Sequence, residues 1–420
     1  MKIGARIGLI ICFFVALIGF VWVSSIQTAD PHVQQTGAQV QKTNKDETNI
    51  KTKANAQKAE RPTQEPTQAV SSQFSEKQLK SIEKTINSRL ENMNFNGTFL
   101  VAIGDEVIYH KAMGYSDAEK ETPNTLDTKY EIGSCTKQFT AAAIAKLAQE
   151  GKLSLKDKFT KYVKDVKIGK DVTIEHLINM CSGLPDYLNE YIYAVESGER
   201  DDDSTLSRKE FIKWLNDSEM IFTQGEYFSY CNTNYYLLGI IIEEVSGESY
   251  EDYIKNEIFY PLYMDDSSLK MTDTNCKGYL DNDWTDGIKI DSSYFYSAGE
   301  IVSTTTDMLR WVNAYTKGNV LNSDMFNKAT HAGSDGFSYG FGWFVNEDYV
   351  YHTGNTELFY AVDIFTRVDD IKIIGLSNVN DTTLQPTALT ILKDVEEEFY
   401  PENHCEKTTE EETKPAKATE

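Results

Sequence analysis

Three pairs in this 420-residue chain place a serine three positions before a lysine: Ser81–Lys84, Ser134–Lys137 and Ser267–Lys270. Such a pair can carry out acyl transfer. A serine hydroxyl is a poor nucleophile until a neighbouring base takes its proton. Residues i and i+3 share a helix face, so the lysine can lie beside the serine. Lysine serves as that base only if burial or nearby cations lower its pKa. A chain of this length holds about two such pairs by chance, so context must select among them. Ser81 lies in polar, helix-like sequence, and Ser267 follows the loop-like Met264-Asp265-Asp266. Ser134 follows Gly133 and opens the Ala-rich stretch GSCTKQFTAAAIAKL. At a helix start, unpaired backbone N–H groups and the positive dipole end stabilise negative charge. Phe139, Ala141, Ala142, Ala143 and Ile144 can bury Lys137. The alternative is an ordinary N-cap serine and a surface lysine.

Two further patterns bear on the choice. Tyr-x-Asn occurs at Tyr187–Asn189 and Tyr230–Asn232, the second inside FTQGEYFSYCNTNYYLLGIII, a turn followed by an apolar helix. A phenol can shuttle protons if cations depress its pKa, and an amide can hold a substrate carbonyl. The alternative is a packed tyrosine ring with Asn232 as a helix cap. His-x-Gly occurs at His331–Gly333 and His352–Gly354, the second on a strand-like stretch. Gly354 allows close approach to the strand backbone. The alternative for His352 is a half-buried sheet histidine.

These residues need elements to position them. Glu76 to Leu90 has helical periodicity. Asn96 to Ile103 reads as a strand, Gly104-Asp105 as a turn, and Val107 to His110 as the return strand of a hairpin. Residues 134–260 read as mainly helical. Tyr339 to Val345, Glu357 to Thr366 and Ile371 to Ser377 read as sheet strands, and Pro386 to Phe399 as a closing helix. β elements thus flank a helical middle.

The 40% hydrophobic content suffices for a core of one large or two closely packed domains. A formal net charge of −24 offers no basic footprint for nucleic acid. Lys2 and Arg6 precede an apolar run, Ile7 to Val23, with no clear Ala-x-Ala site after it. Residues 1–26 therefore read as an uncleaved membrane anchor, with a cleaved signal peptide as the alternative. Residues 27–73 hold almost no large apolar side chains and 401–420 are equally polar, so they read as a tether and an acidic tail. The globular part is 74–400. Six cysteines show no CxxC and no metal-ligand spacing. A pairing among Cys135, Cys181 and Cys231 is open.

Taken in order, NGTFLVAIGDEVIYHKAMGYSD, GSCTK, TIEHLINMCSGLPDY, QGEYFSYCNTNYYLLG, IFYPLYMDDSSL, SAGEIVSTTTDMLRWV, YGFGW and HTG resemble the serine β-lactamase and penicillin-binding protein superfamily, in its class C and DD-carboxypeptidase branch. The resemblance covers about 90–395. It implies an α/β (α+β) fold: an antiparallel sheet flanked by helices, with an inserted all-helical domain at about 141–289. It implies Ser134 as nucleophile, Lys137 as proton acceptor and Tyr230 as acid/base partner. Asn232 would orient the substrate, and His352, Thr353 and Gly354 would line the opposite wall. The backbone N–H groups of Ser134 and Asn355 would hold the oxyanion. No metal or cofactor is implied. The substrate would be a small molecule or a cell-wall peptide or ester, met outside the membrane. His-Thr-Gly resembles the DD-peptidase type, whereas β-lactamases of this branch usually carry lysine there. A protonated His352 would attract a substrate carboxylate, with binding weakening as pH rises through its pKa. An esterase, a D-aminopeptidase and a non-catalytic wall-binding or sensor protein are the other readings. The glycine usual shortly after the third motif is absent, and Glu357-Leu358 stand in its stretch.

Overall fold

The computed structural model describes residues 73–201, 204–331 and 338–404. The apolar run Ile7 to Val23, nearly all of the tether and residues 405–420 of the tail lie outside them, while Pro401–His404, expected not to fold, form a short helix. Among the described residues no helix is long and apolar enough to cross a membrane.

Helix α1 (Glu76–Asn92) starts at Ser75, whose side chain and backbone exchange hydrogen bonds with Gln78 in a capping box. Its apolar stripe, Ile82, Ile86 and Leu90, is buried. The hairpin follows as β1 (Gly97–Ile103) and β2 (Glu106–Met113). Three short strands come next: β3 (Tyr115–Asp117), β4 (Thr122–Pro123) and β5 (Tyr130–Glu131). A helical stretch then holds α2 (Thr136–Gln149), α3 (Ile174–Ile178), α4 (Leu188–Glu196), α5 (Arg208–Asp217), α6 (Asn232–Ser246) and α7 (Tyr250–Ile254). After the two-residue strand β6 (Val302–Ser303) come α8 (Thr305–Thr316) and α9 (Ser323–Thr330). The chain closes with β7 (Tyr339–Gly340), β8 (Trp343–Val345), β9 (Tyr349–Asn355), β10 (Tyr360–Thr366), β11 (Ile371–Ser377) and α10 (Leu384–Phe399).

Seven strands form one antiparallel sheet in the order β2-β1-β11-β10-β9-β8-β7. The amino-terminal hairpin therefore sits beside the carboxy-terminal strands, with β1 paired to β11. Strands β1, β10 and β11 are buried along their whole length, because both sheet faces are covered. On one face, Ile82, Ile86 and Leu90 of α1 meet Leu384, Ala388, Ile391 and Val395 of α10. On the other, α2 and the helical stretch enclose a larger core that includes Phe139, Trp311 and Trp343. This is the α/β arrangement expected from the sequence.

Local details differ. The stretch Tyr339 to Val345 is a tight hairpin and not one strand. Phe341 and Gly342 both take positive φ, 42° and 87°, so the chain reverses there. Strand β10 begins at Tyr360, not Glu357. Glu357 adopts φ 66°, and Leu358 and Phe359 are buried against Gly278 and Gly287. Helix α10 begins two residues before Pro386, which falls in its first turn, where no N–H is needed. Cys135, Cys181, Cys231 and Cys276 form no disulfide. Cys12 and Cys405 lie outside the described residues.

Candidate active site

Strand β5 runs into a single 3-10 turn, Gly133–Cys135, which leads directly into α2. This turn packs against the end of β9, backbone on backbone. Gly133 takes φ 50°, and a Cβ there would lie 2.6 Å from the Asn355 nitrogen. A Cβ on Gly354 would lie 1.8 Å from the Ile132 oxygen and 3.0 Å from the Ser134 nitrogen. No other residue type fits at either position without moving a chain. The contact brings the backbone nitrogens of Ser134 and Asn355 to one place. The β8–β9 ladder ends at Phe344↔Tyr351, so His352 to Asn355 keep one edge without a strand partner among the described residues.

Lys137 is fully buried one helical turn below Ser134. Its Nζ lies 3.0 Å from Ser134 Oγ, 2.9 Å from Asn232 Oδ1 and 2.8 Å from the Ala298 carbonyl. Burial lowers its pKa to about 7, partly offset by the Asp186 carboxylate. A lysine near pH 7 can take a hydroxyl proton.

Tyr230 is half-buried, with its ring centroid 4.9 Å from Lys137 Nζ and its hydroxyl on the Ser134 side. Its pKa moves opposite to the sequence expectation. Burial raises it well above the usual tyrosine value, helped by Asp186 and only partly opposed by Ser134. Tyr230 is a neutral phenol, fit to donate a proton. Asn232 is the first residue of α6, where Cys231 is the N-cap and caps with no side-chain bond. The amide of Asn232 is not used as a cap; its Oδ1 accepts from Lys137 and its Nδ2 donates to Asp186.

The sheet side corrects a second expectation. His352 is only 1% exposed. Its Nε2 faces the Tyr339 hydroxyl at 3.2 Å and its Nδ1 the Thr353 carbonyl at 2.6 Å. Burial, aided by the nearby Lys137 charge, lowers its pKa to about 3. A protonated His352 attracting a carboxylate does not fit this surrounding. Thr353 pairs with Val362 on the face packed against α1 and α10, and its side chain is hydrogen-bonded to Tyr360. Strand alternation thus turns its hydroxyl away from Ser134. Gly354 and the backbone of Asn355 do reach Ser134, as described above. The Asn355 side chain bonds Asn380 and the Glu357 nitrogen.

The other pattern matches fall elsewhere. Ser81 is exposed on α1. Ser267 is hydrogen-bonded to Ser303 and Asp307. Tyr187 is a core side chain whose hydroxyl donates to the Tyr294 carbonyl. His331 caps the end of α9.

Three partners received no role in the sequence reading. Asp186 binds the Asn232 backbone and amide nitrogens at 3.0 and 2.9 Å. The Ala298 carbonyl holds Lys137. Asp363, with its pKa pushed up to about 7 by burial, takes Gln138 Nε2 on both oxygens at 2.8 Å. The first two lie inside the SGLPDY and SAGE stretches, so a positional signal existed. Asp363 sits within an apolar strand, and its pairing with His352 and its bonds to Gln138 bring it to the site. Among the described residues no group of three His, Cys, Asp or Glu side chains is placed to hold a metal ion.

Known proteins agree with this architecture. Residues 82–395 match the Beta-lactamase family. Protein flp of Staphylococcus aureus (strain N315) is 30% identical over 319 residues, covering 71% of this chain and 63% of that protein. The chain thus spans less than two thirds of that relative's length. The octameric penicillin-binding protein homologue from Pyrococcus abyssi is 30% identical, with a TM-score of 0.64 over 76% of this chain and 79% of that one. A penicillin binding protein from Bacillus halodurans, 23% identical, shares the fold with a TM-score of 0.64 over 74% of this chain and 98% of its own. With the Ser-x-x-Lys pair seated between an α/β sheet and its helices, the chain belongs to the Beta-lactamase family, in the superfamily of serine hydrolases that includes the penicillin-binding proteins.

Proposed function

We infer that this protein cuts D-alanyl bonds of cell-wall polymers outside the cytoplasm, with D-alanyl peptides as its leading substrate in the manner of a DD-carboxypeptidase. One observation carries the chemistry: a fully buried Lys137, titrating near 7, is hydrogen-bonded to Ser134. The HTG stretch and the apolar amino-terminal run support the substrate and the compartment.

In the acylation step the Ser134 proton passes to Lys137 Nζ, and Oγ bonds to the substrate carbonyl carbon. The carbonyl electron pair moves to oxygen, which faces the backbone N–H groups of Ser134 and Asn355. As the carbonyl re-forms, the scissile C–N bond breaks and the leaving nitrogen takes a proton from Tyr230. The Lys137 ammonium returns a proton to Tyr230. Water then repeats the sequence on the acyl-enzyme. Asn232 offers its amide to the substrate.

A second reading has a specific observation behind it. Glu357 stands two residues past Asn355, and its pKa is raised by burial and by the Glu196 carboxylate. With His352 neutral, this favours an acyl group carrying an ammonium, as in a D-alanyl ester, over a leaving group that ends in a carboxylate, as in a D-alanyl-D-alanine peptide.

Intact-mass measurement after penicillin treatment tests the chemistry, with Ser134→Ala in parallel. An adduct that requires Ser134 supports the leading reading. Failure to turn over either a D-alanyl-D-alanine peptide or a D-alanyl ester would refute both readings. Hydrolysis of the ester alone would select the second.

A further inference from the structure

Lys137 has three polar neighbours, and their chemistry is unequal. The Ala298 carbonyl can only accept a hydrogen bond. Ser134 Oγ can accept or donate. Asn232 presents Oδ1, an acceptor, but the other end of the same amide is a donor. A neutral lysine amine has two N–H bonds and one lone pair. With two acceptor-only neighbours, the two N–H bonds go to them and the lone pair falls towards Ser134. With the Asn232 amide reversed, its N–H would meet the lone pair, and Lys137 could no longer take the Ser134 proton.

Asp186 decides which way that amide stands. It follows Pro185 in the segment between α3 and α4 and is held from several sides. Its Oδ1 accepts from the Leu188 nitrogen at 2.9 Å. The Pro185 carbonyl accepts from the Thr233 hydroxyl at 2.6 Å, and the Tyr187 nitrogen donates to the same hydroxyl at 3.2 Å. Its Oδ2 accepts both the Asn232 backbone N–H and Nδ2. A carboxylate offers no proton, so a reversed amide would set Oδ1 against Oδ2, two acceptors with no hydrogen between them. Burial raises the Asp186 pKa, while the N–H groups of Asn232 and Leu188 and the Lys137 charge favour the carboxylate; in so little water the mismatch is costlier.

We propose that Asp186 is a positioning residue: by fixing the direction of the Asn232 amide, it aims the Lys137 lone pair at Ser134. This rests on the acyl-transfer reading of the site and not on which bond is cut. The step it serves is balanced: the Ser134 proton moves to Lys137, Oγ bonds to the acyl carbon, and the leaving group departs with the bonding electron pair.

Asp186 also bears on pH dependence. The groups facing Lys137 are Asp186 from the segment before α4, Cys135 from the serine turn, Cys231 and Tyr235 from α6 and its cap, Tyr230, and His352 from β9. Asp186 is the foremost of those raising the Lys137 pKa, so its removal lowers that pKa further.

The test uses the full chain and p-nitrophenyl acetate, following the burst of p-nitrophenolate. Ser134→Ala is the control. Absence of any Ser134-dependent p-nitrophenolate release in the unmutated chain would refute the acyl-transfer reading, leaving the neutron measurement below to judge the amide. Asp186→Ala should slow acylation about 100-fold, the cost of a misaligned reacting pair. The rising limb of its pH profile should move to lower pH. In an Asn232→Ala background the same change should alter the rate less than about threefold, because the group it acts through is gone. An unchanged rate in Asp186→Ala, or a full loss that persists without Asn232, overturns the proposal. Thermal unfolding reports whether the variant folds. If it does not, neutron diffraction from crystals of the unmutated chain above pH 7 decides. Two deuterons on Lys137 pointing to Asn232 Oδ1 and Ala298 O support the proposal. An Asn232 amide with Nδ2 towards Lys137 refutes it.

Discussion

Lys137 on the helical side of Ser134 and His352 on the sheet side are both bases with almost no exposure. Burial pushes both in the same direction, by disfavouring the charged form. The lysine starts from 10.5 and arrives at about 7. The histidine starts from 6.5 and arrives at about 3. One physical cause thus leaves a lysine able to exchange a proton near neutral pH on one side and a ring that is neutral there on the other. The neighbours widen the gap, since Asp186 pulls Lys137 back up while the Lys137 charge pushes His352 further down. The helical side is built to exchange a proton, and the sheet side to hold still.

Breaking the helical side should have the largest effects. Ser134→Ala should remove the covalent adduct in intact-mass spectra and lower turnover at least about 1,000-fold. Lys137→Ala should cost a general base, typically 10²–10⁴-fold, about 1,000-fold here in burst kinetics. In the unmutated protein, acylation should rise with pH through about 7, because the neutral lysine is the active form and its fraction grows above its pKa. The limb should vanish in Lys137→Ala, and its survival would assign the base elsewhere.

The junction between the two sides comes next. Gly354→Ala places a Cβ 1.8 Å from the Ile132 oxygen. Either β9 or the serine turn must shift, at about 2 kcal/mol in denaturant unfolding. Acylation should fall about 100-fold as the two backbone nitrogens part. A variant that unfolds like the unmutated protein would show that the contact has slack.

The smallest effect belongs to the sheet side. His352→Gln should leave the shape of the pH profile for substrate binding unchanged between pH 4 and 8, because the ring is already neutral there. A binding limb near 6.5 in the unmutated protein, lost in His352→Gln, would mean that His352 titrates after all.

Much of this was legible in the chain. The helical stripe of α1, the Gly104 hairpin and the strand runs near the carboxy terminus follow from periodicity and turn residues. Ser134 was singled out by Gly133 before it and apolar sequence after it. Asp186 and Asp363 were not assigned roles, because an acidic residue in a loop or a strand looks the same whether or not its partner lies elsewhere. The direction of the Tyr230 and His352 shifts was likewise illegible. Each depends on how many apolar neighbours surround a ring, and those come from distant segments.

By itself the sequence determined most element types and the family, and it nominated Ser134, Lys137 and Tyr230, since these depend on local pattern and residue identity. Only the tertiary structure decided their protonation states, the side of β9 on which Thr353 falls and the direction of the Asn232 amide. Desolvation and hydrogen-bond polarity are properties of packed neighbours, and Asn232 meets Lys137 and Asp186 across 95 and 46 positions of chain.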